Sequence, residues 1–134
     1  MGVQQNIEIA RTLLNGIGGG WDAAEIAAPF AEDLVFEIQG DDGAMPWIGR
    51  KIGRQAMTDF VGDLRVLTDP LTFDVEDVLA SESRAVIVGS LQTRIKATEK
   101  ITTTQFALVL TIASGVVTRF QMLEDSFNLS KAAR

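Results

Sequence analysis

The chain offers eighteen carboxylates and twelve cationic side chains for chemistry, and it contains no histidine, no cysteine and no tyrosine. A Ser-His-Asp triad, a thiolate nucleophile and a zinc site built on His or Cys are therefore excluded. Acid–base catalysis must fall to Asp, Glu or Lys, with a pKa moved toward neutrality by burial or by neighbouring charge. Carboxylates stand among apolar residues in two stretches, "FEIQGDDGAMPW" from Phe36 to Trp47 and "RFQMLED" from Arg119 to Asp125. Strand parity puts Phe36 and Ile38 on one face, and Phe120, Met122 and Glu124 on one face of a late strand. Gln105, Ala107 and Val109 share a face of the strand before it. If these faces look inward, Glu124 is a base candidate and Gln105 a polar partner; otherwise Glu124 and Asp125 are solvated at a strand end. Asp41 and Asp42 fall in "GDDG", where aspartate suits turn geometry.

These residues must be positioned by an ordered set of elements. Val3, Ile7, Ala10, Leu14 and Ile17 recur at helical spacing, and "GIGGG" at 16–20 ends that helix. Asp22 and Glu25 stand at the capping-box positions of a second helix, with Trp21 and Ile26 at the staple positions. "LVFEI" reads as a strand closed by the turn "GDDG". Helical spacing returns from Arg54 to Leu67 through Ala56, Phe60, Val61 and Leu64, with Asp69-Pro70 after its end. "LTFDVEDVLA" and the segments 84–95, 101–112 and 116–127 then read as strands joined by short turns, hence antiparallel. Helix, helix, strand, helix and four strands predict an α+β domain, a curved sheet with helices on one face.

Length and charge narrow the partners. At 134 residues the chain suits a single domain, 1–134, able to bury roughly two-thirds of its unfolded surface. A net charge of −6 argues against a nucleic-acid partner. Residues 12–49 carry seven carboxylates and no Lys or Arg, which reads as a solvated acidic face. The uncharged run "ITTTQFALVLTIASGVVT" is broken by polar residues and reads as two strands about a turn rather than a membrane span. No basic segment leads into an apolar run at the start, and disulfides are excluded, so a cytoplasmic location is expected. No metal or cofactor motif is present, so none is expected to be needed.

"WDAAEIAAPFAEDLVFEI", the proline-aromatic and Gly-Arg segment "PWIGR", the helix after it and the final "SGVVTRFQMLEDSFNLS" together resemble the NTF2-like superfamily. Within it they are similar to the SnoaL-like group related to ketosteroid isomerase. The resemblance implies a cone with three helices in the N-terminal half and a mostly antiparallel sheet around an apolar pocket, and a homodimer joined through the sheet's outer face. Pocket residues implied on this basis are Leu14, Phe36, Ile38, Trp47, Phe60, Phe106 or Ala107, Phe120 and Met122, with Gln105 and Glu124 as polar features. Trp47 either closes the pocket mouth or anchors its loop to the third helix. Matched position by position, the catalytic residues of the ketosteroid isomerases fall on Leu14, Ile38 and Ala107, those of the polyketide cyclases on Met122 and Ala107, and the epoxide-hydrolase Arg-x-Asp segment on "TRIKA".

Two functions follow from the resemblance. One is a cofactor-independent isomerase, cyclase, dehydratase or hydrolase acting on a small apolar ring compound, with Glu124 as base and Gln105 orienting the substrate. The other is a non-catalytic ligand-binding or dimeric interaction protein whose catalytic positions have become apolar.

Overall fold

The protein is described by a computed structural model covering residues 2–134. Helix α1 (Gly2–Gly18) buries Asn6, Ala10, Leu13 and Gly16 along one stripe. That stripe is rotated from the expected one, so Val3 is exposed and Leu14 is half-buried at the margin of the core. The glycine run closes the helix as expected: Gly20 takes a φ of 73°, and Trp21 N–H returns to the Gly16 carbonyl at 2.9 Å. Asp22 is the N-cap of the short helix α2 (Ala23–Ala27), but its side chain makes no capping bond, so the capping box does not form.

Strand β1 (Phe30–Ile38) pairs antiparallel with β2 (Gly49–Ile52), and Gly53 leads into α3 (Arg54–Leu67). Long strands β3 (Thr68–Ala80), β4 (Arg84–Ile95), β5 (Ile101–Ala113) and β6 (Val116–Glu124) follow. Helix α4 (Ser126–Ala133) comes last. Asp69-Pro70 follows the third helix as expected and lies in the first residues of β3, an edge strand where proline's missing N–H is tolerated. The sheet runs β2-β1-β6-β5-β4-β3, and β1 with β6 is a parallel pair.

One sheet face carries the core. Ala85, Ile87 and Leu91 of β4, Phe106, Leu108, Leu110 and Ile112 of β5, and Phe120 of β6 are buried against α1, α2 and α3. At Gly89 an added Cβ would lie 2.1 Å from the Asp74 carbonyl oxygen and 3.0 Å from Phe106, because the bulge in β3 between Val75 and Asp77 presses against it. The missing side chain also leaves room for Phe73 of β3 to stack on Phe106 of β5, centroids 5.1 Å apart. Ser114 and Gly115 both take positive φ, 50° and 78°, the mirror-image turn that matches the twist of a tight hairpin between β5 and β6. Asn6 is the buried polar side chain of α1, and its Nδ2 donates to the Ser81 and Glu82 carbonyls at 3.0 and 3.1 Å. No described helix is long and apolar enough to cross a membrane.

Candidate functional site

The site is built where β1 and β6 run side by side. Phe36 lies opposite Phe120 and Ile38 opposite Met122, so the inward rows of the two strands form one apolar floor. Helix α3 lowers Phe60 onto it, and the loop between β1 and β2 brings Trp47 against Phe60. Centroid separations are 5.0 Å for Phe36–Phe120, 5.4 Å for Phe36–Phe60, 5.8 Å for Phe60–Phe120 and 5.6 Å for Trp47–Phe60. Such contacts add to the area buried, since offset and edge-on rings at these distances attract through their quadrupoles. Phe36, Ile38, Trp47, Phe60 and Phe120 are all buried, and Met122 packs half-buried beside them. Trp47 therefore both anchors its loop to α3 and caps the aromatic cluster.

Their rings pack directly on one another. A separate small cavity of about 20 Å³, room for one water, lies between α1, α2 and the sheet, lined by Leu13, Trp21, Ile26, Phe30, Leu110 and Val117.

Glu124 follows Met122 on the inward row and lies opposite Phe106. Burial, with the neighbouring Asp125 charge as a smaller cause, pushes its carboxyl up to about 7. Among the described residues, no hydrogen bond holds the ionised form. Asp125 turns away from it: the Asp125 N–H donates to Thr104 Oγ1 at 2.8 Å, and its carboxylate accepts the Asn128 N–H at 2.9 Å, capping α4. A carboxyl poised near neutrality on an inward strand face has the protonation behaviour a general base requires.

Two expected site residues are not brought here. Gln105 is exposed and Ala107 lies on the outer face, because the register pairs Phe106, not its neighbours, with Glu124 and Gly89. A strand has period two, so the pairing that puts Phe106 inside sends Gln105 and Ala107 out, and Gln105 cannot orient a molecule beside Glu124. Of Phe106 and Ala107, it is Phe106 that lies on the buried face. Leu14 borders the core beside fully packed Leu13.

Sequence reasoning missed two contributors. Asp41, assigned to turn geometry, accepts hydrogen bonds from Ser130 Oγ at 2.6 Å and from Arg134 Nε and Nη2 at 3.1 and 2.7 Å, and these hold its carboxyl below the usual range. Helix α4, which overlaps the expected strand 116–127 only at Ser126 and Phe127, packs Leu129 and Ala132 into the core. Its signal was Asp125 three residues before Asn128, followed by apolar residues at 129 and 132. Among the described residues, no group of three or more Asp or Glu is placed to hold a metal ion.

Residues 11–120 match the family model of the SnoaL-like domain. No curated protein sequence matches the chain. Among solved structures, an NTF2-like protein from Burkholderia xenovorans superposes with a TM-score of 0.88 at 22% identity, over 100% of this chain and 99% of that one. A SnoaL-like protein from Mesorhizobium loti, proposed to be a polyketide cyclase, gives 0.69 at 17% identity over 87% and 96% of the two chains. A protein from Catenulispora acidiphila with a ketosteroid isomerase-like fold, solved with trimethylamine, gives 0.75 at 12% identity over 94% and 92%. At these identities the likeness is one of fold.

Proposed function

The chain belongs to the SnoaL-like domain family, and from that premise we propose that it is a cofactor-independent enzyme whose Glu124 moves a proton on a small apolar ring compound. The observation that carries this reading is the Glu124 carboxyl itself: on the inward row, without a hydrogen-bond partner among the described residues, and raised to about 7. Isomerisation, cyclisation, dehydration and hydrolysis all begin with such a transfer, and the surrounding Phe106 and Met122 suit an apolar substrate. We place the reaction in the cytoplasm on the strength of the cysteine-free composition.

The direct packing of the aromatic cluster favours a second reading, a protein that binds an apolar molecule or a partner without turnover. Trp47, Phe36, Phe60 and Phe120 pack ring against ring, and the positions matched to catalytic residues in relatives are apolar. The two readings separate in one experiment. A panel of cyclic enones and lactones is screened in deuterated buffer for proton exchange or conversion, and any active compound is repeated with Glu124→Gln. The enzyme reading expects a loss of about 100-fold or more with folding intact. Binding without exchange, or exchange indifferent to Glu124→Gln, supports the second reading.

In either case we propose a homodimer through the outer sheet face. Val86, Val88, Ala107, Val109 and Leu123 form its apolar middle, uncovered by any described helix. The same face carries the ion pair between Arg119 and Glu37 at 2.9 Å, with Arg119 Nε buried and lacking a hydrogen-bond partner among the described residues.

A further inference from the structure

We propose that Phe73, on the edge strand β3, is a positioning residue for Glu124: stacked on Phe106, it keeps the β5 flank of that carboxyl apolar. The inference rests on the reading of Glu124 as the base, and its test is read without turnover.

One row of residues crosses the inner face of the sheet. Val75 lies opposite Gly89, Gly89 opposite Phe106, and Phe106 opposite Glu124. Side chains directly opposite on neighbouring antiparallel strands share a face, with Cβ atoms about 4.5–5.5 Å apart, so Phe106 is the cross-strand neighbour of Glu124. On its other side Glu124 has none, because the pairing of β1 with β6 ends at Ile38 and Met122. What borders the carboxyl across the sheet therefore depends on Phe106.

Phe106 in turn depends on Phe73. It is 4% exposed although Gly89, its neighbour on β4, has no side chain to cover it. Phe73 fills that gap from one strand further out: its ring centroid lies 5.1 Å from that of Phe106, with the planes 28° apart. The partner of Phe73 on β4 is the buried Leu91, which fixes the face on which the ring lies. A larger residue at 89 would come between the rings, since an added Cβ there already meets Phe106 Cζ at 3.0 Å.

Phe73 differs from the aromatic residues of the core in its exposure. Phe30, Phe36, Phe60 and Phe120 are each at most 6% exposed, whereas Phe73 is 52% exposed on an edge strand that also carries Asp69, Asp74, Glu76 and Asp77. A ring left half in water gains only part of the burial energy of an enclosed one, yet its inner face still keeps water from Phe106. The row adds no charge of its own. Asp74, next to Phe73, has the other parity and lies opposite Ser90, Asp41 is held by Ser130 and Arg134, and Lys131 lies over the Phe127 ring. Asp125 is the charged neighbour that acts on Glu124, and burial is the larger influence, so the apolar side chains beside the carboxyl decide its behaviour.

The test follows the Glu124 carboxyl of the full chain by carbon NMR. In Phe73→Ala its titration midpoint should fall from about 7 toward the ordinary 4.5, by roughly one pH unit or more. Phe73→Leu, which keeps an apolar cover, should move it less, and Leu79→Ala, exposed on the other face of the same strand, should leave it in place. Should Phe73→Ala fail to fold, Phe73→Thr removes the ring while keeping a residue suited to a strand, and decides in its stead. A ring that serves stability alone would lower the urea midpoint and leave the titration where it was, which overturns the proposal. An equal fall in Leu79→Ala overturns it too. A shifted titration in a protein whose turnover ignores Glu124→Gln upholds the positioning and removes the base, whereas an unmoved titration with turnover lost in Glu124→Gln does the reverse.

Discussion

Phe36 and Phe120 lie face to face across the parallel β1–β6 pair, ring centroids 5.0 Å apart and planes within 3° of each other. Phe120 also meets Phe30 and Phe60, which makes it the hub of the aromatic core. Phe120→Ala should cost about 3–5 kcal/mol, a large share of the stability of a domain this size. Urea denaturation checks it: the midpoint should fall sharply, and Phe120→Leu, which leaves a smaller cavity, should fall less. A loss under about 1 kcal/mol would mean the site has room to collapse, contrary to the packing described.

Asn6 fastens α1 to the turn between β3 and β4 through two bonds from one buried amide. Asn6→Ala leaves the Ser81 and Glu82 carbonyls without that donor, and should cost about 1–3 kcal/mol. Hydrogen exchange offers the local check, since the turn at residues 81–83 should lose protection before the centre of β4 does.

The raised Glu124 carboxyl gives stability a distinctive pH dependence. Its folded pKa of about 7 exceeds its ordinary value of 4.5, so the folded state binds the extra proton between them. The stabilisation is complete below the lower value and is lost as pH rises through the upper one. Denaturation midpoints of the wild type should therefore fall between pH 5 and 8, and Glu124→Gln should flatten that change. Asp41 and Asp69, both lowered, act in the opposite sense and in a different window, since their contribution is lost only as pH falls below the ordinary value of 3.8.

Val88 stands at the centre of the outer apolar row, opposite Ala107, which in turn lies opposite Leu123. Val88→Lys should convert the proposed dimer to monomer without loss of fold, because the side chain points away from the core. Sedimentation of wild type and variant at micromolar concentration decides: a wild-type monomer, or a variant that still dimerises, removes this face as the interface.

Much of this architecture was legible in the sequence, for physical reasons that differ by element. The third helix and the strand at 84–95 coincide with α3 and β4, since a stripe such as Ala56, Phe60 and Val61 or an alternation such as Ala85, Ile87 and Gly89 has one dominant period. Strand β2 has no counterpart among the elements expected from the sequence: Gly49-Arg-Lys-Ile is short, mostly polar and partly exposed, and it exists because β1 offers it an edge. The misplacement of Gln105 and Ala107 has another cause. Both faces of β5 carry apolar residues, so parity alone identifies which residues travel together and not which side is inward; the partner strand decides that. The row Thr102, Thr104, Phe106, Leu108, Leu110 and Ile112 is the bulkier one and is buried. On β6, Phe120, Met122 and Glu124 were grouped correctly because Phe120 is far larger than its alternating neighbours are apolar.

The parallel pairing of β1 with β6 also governs how the molecule can be made. Phe36 leaves the ribosome long before Phe120, so the aromatic core cannot close until α3 and the strands β3 to β6 have all followed β1 out. Until then β1 exposes an unpaired edge and the rings of Phe30 and Phe36 to whatever else is nearby. A fold joined through contacts this distant in sequence should fold slowly for its size.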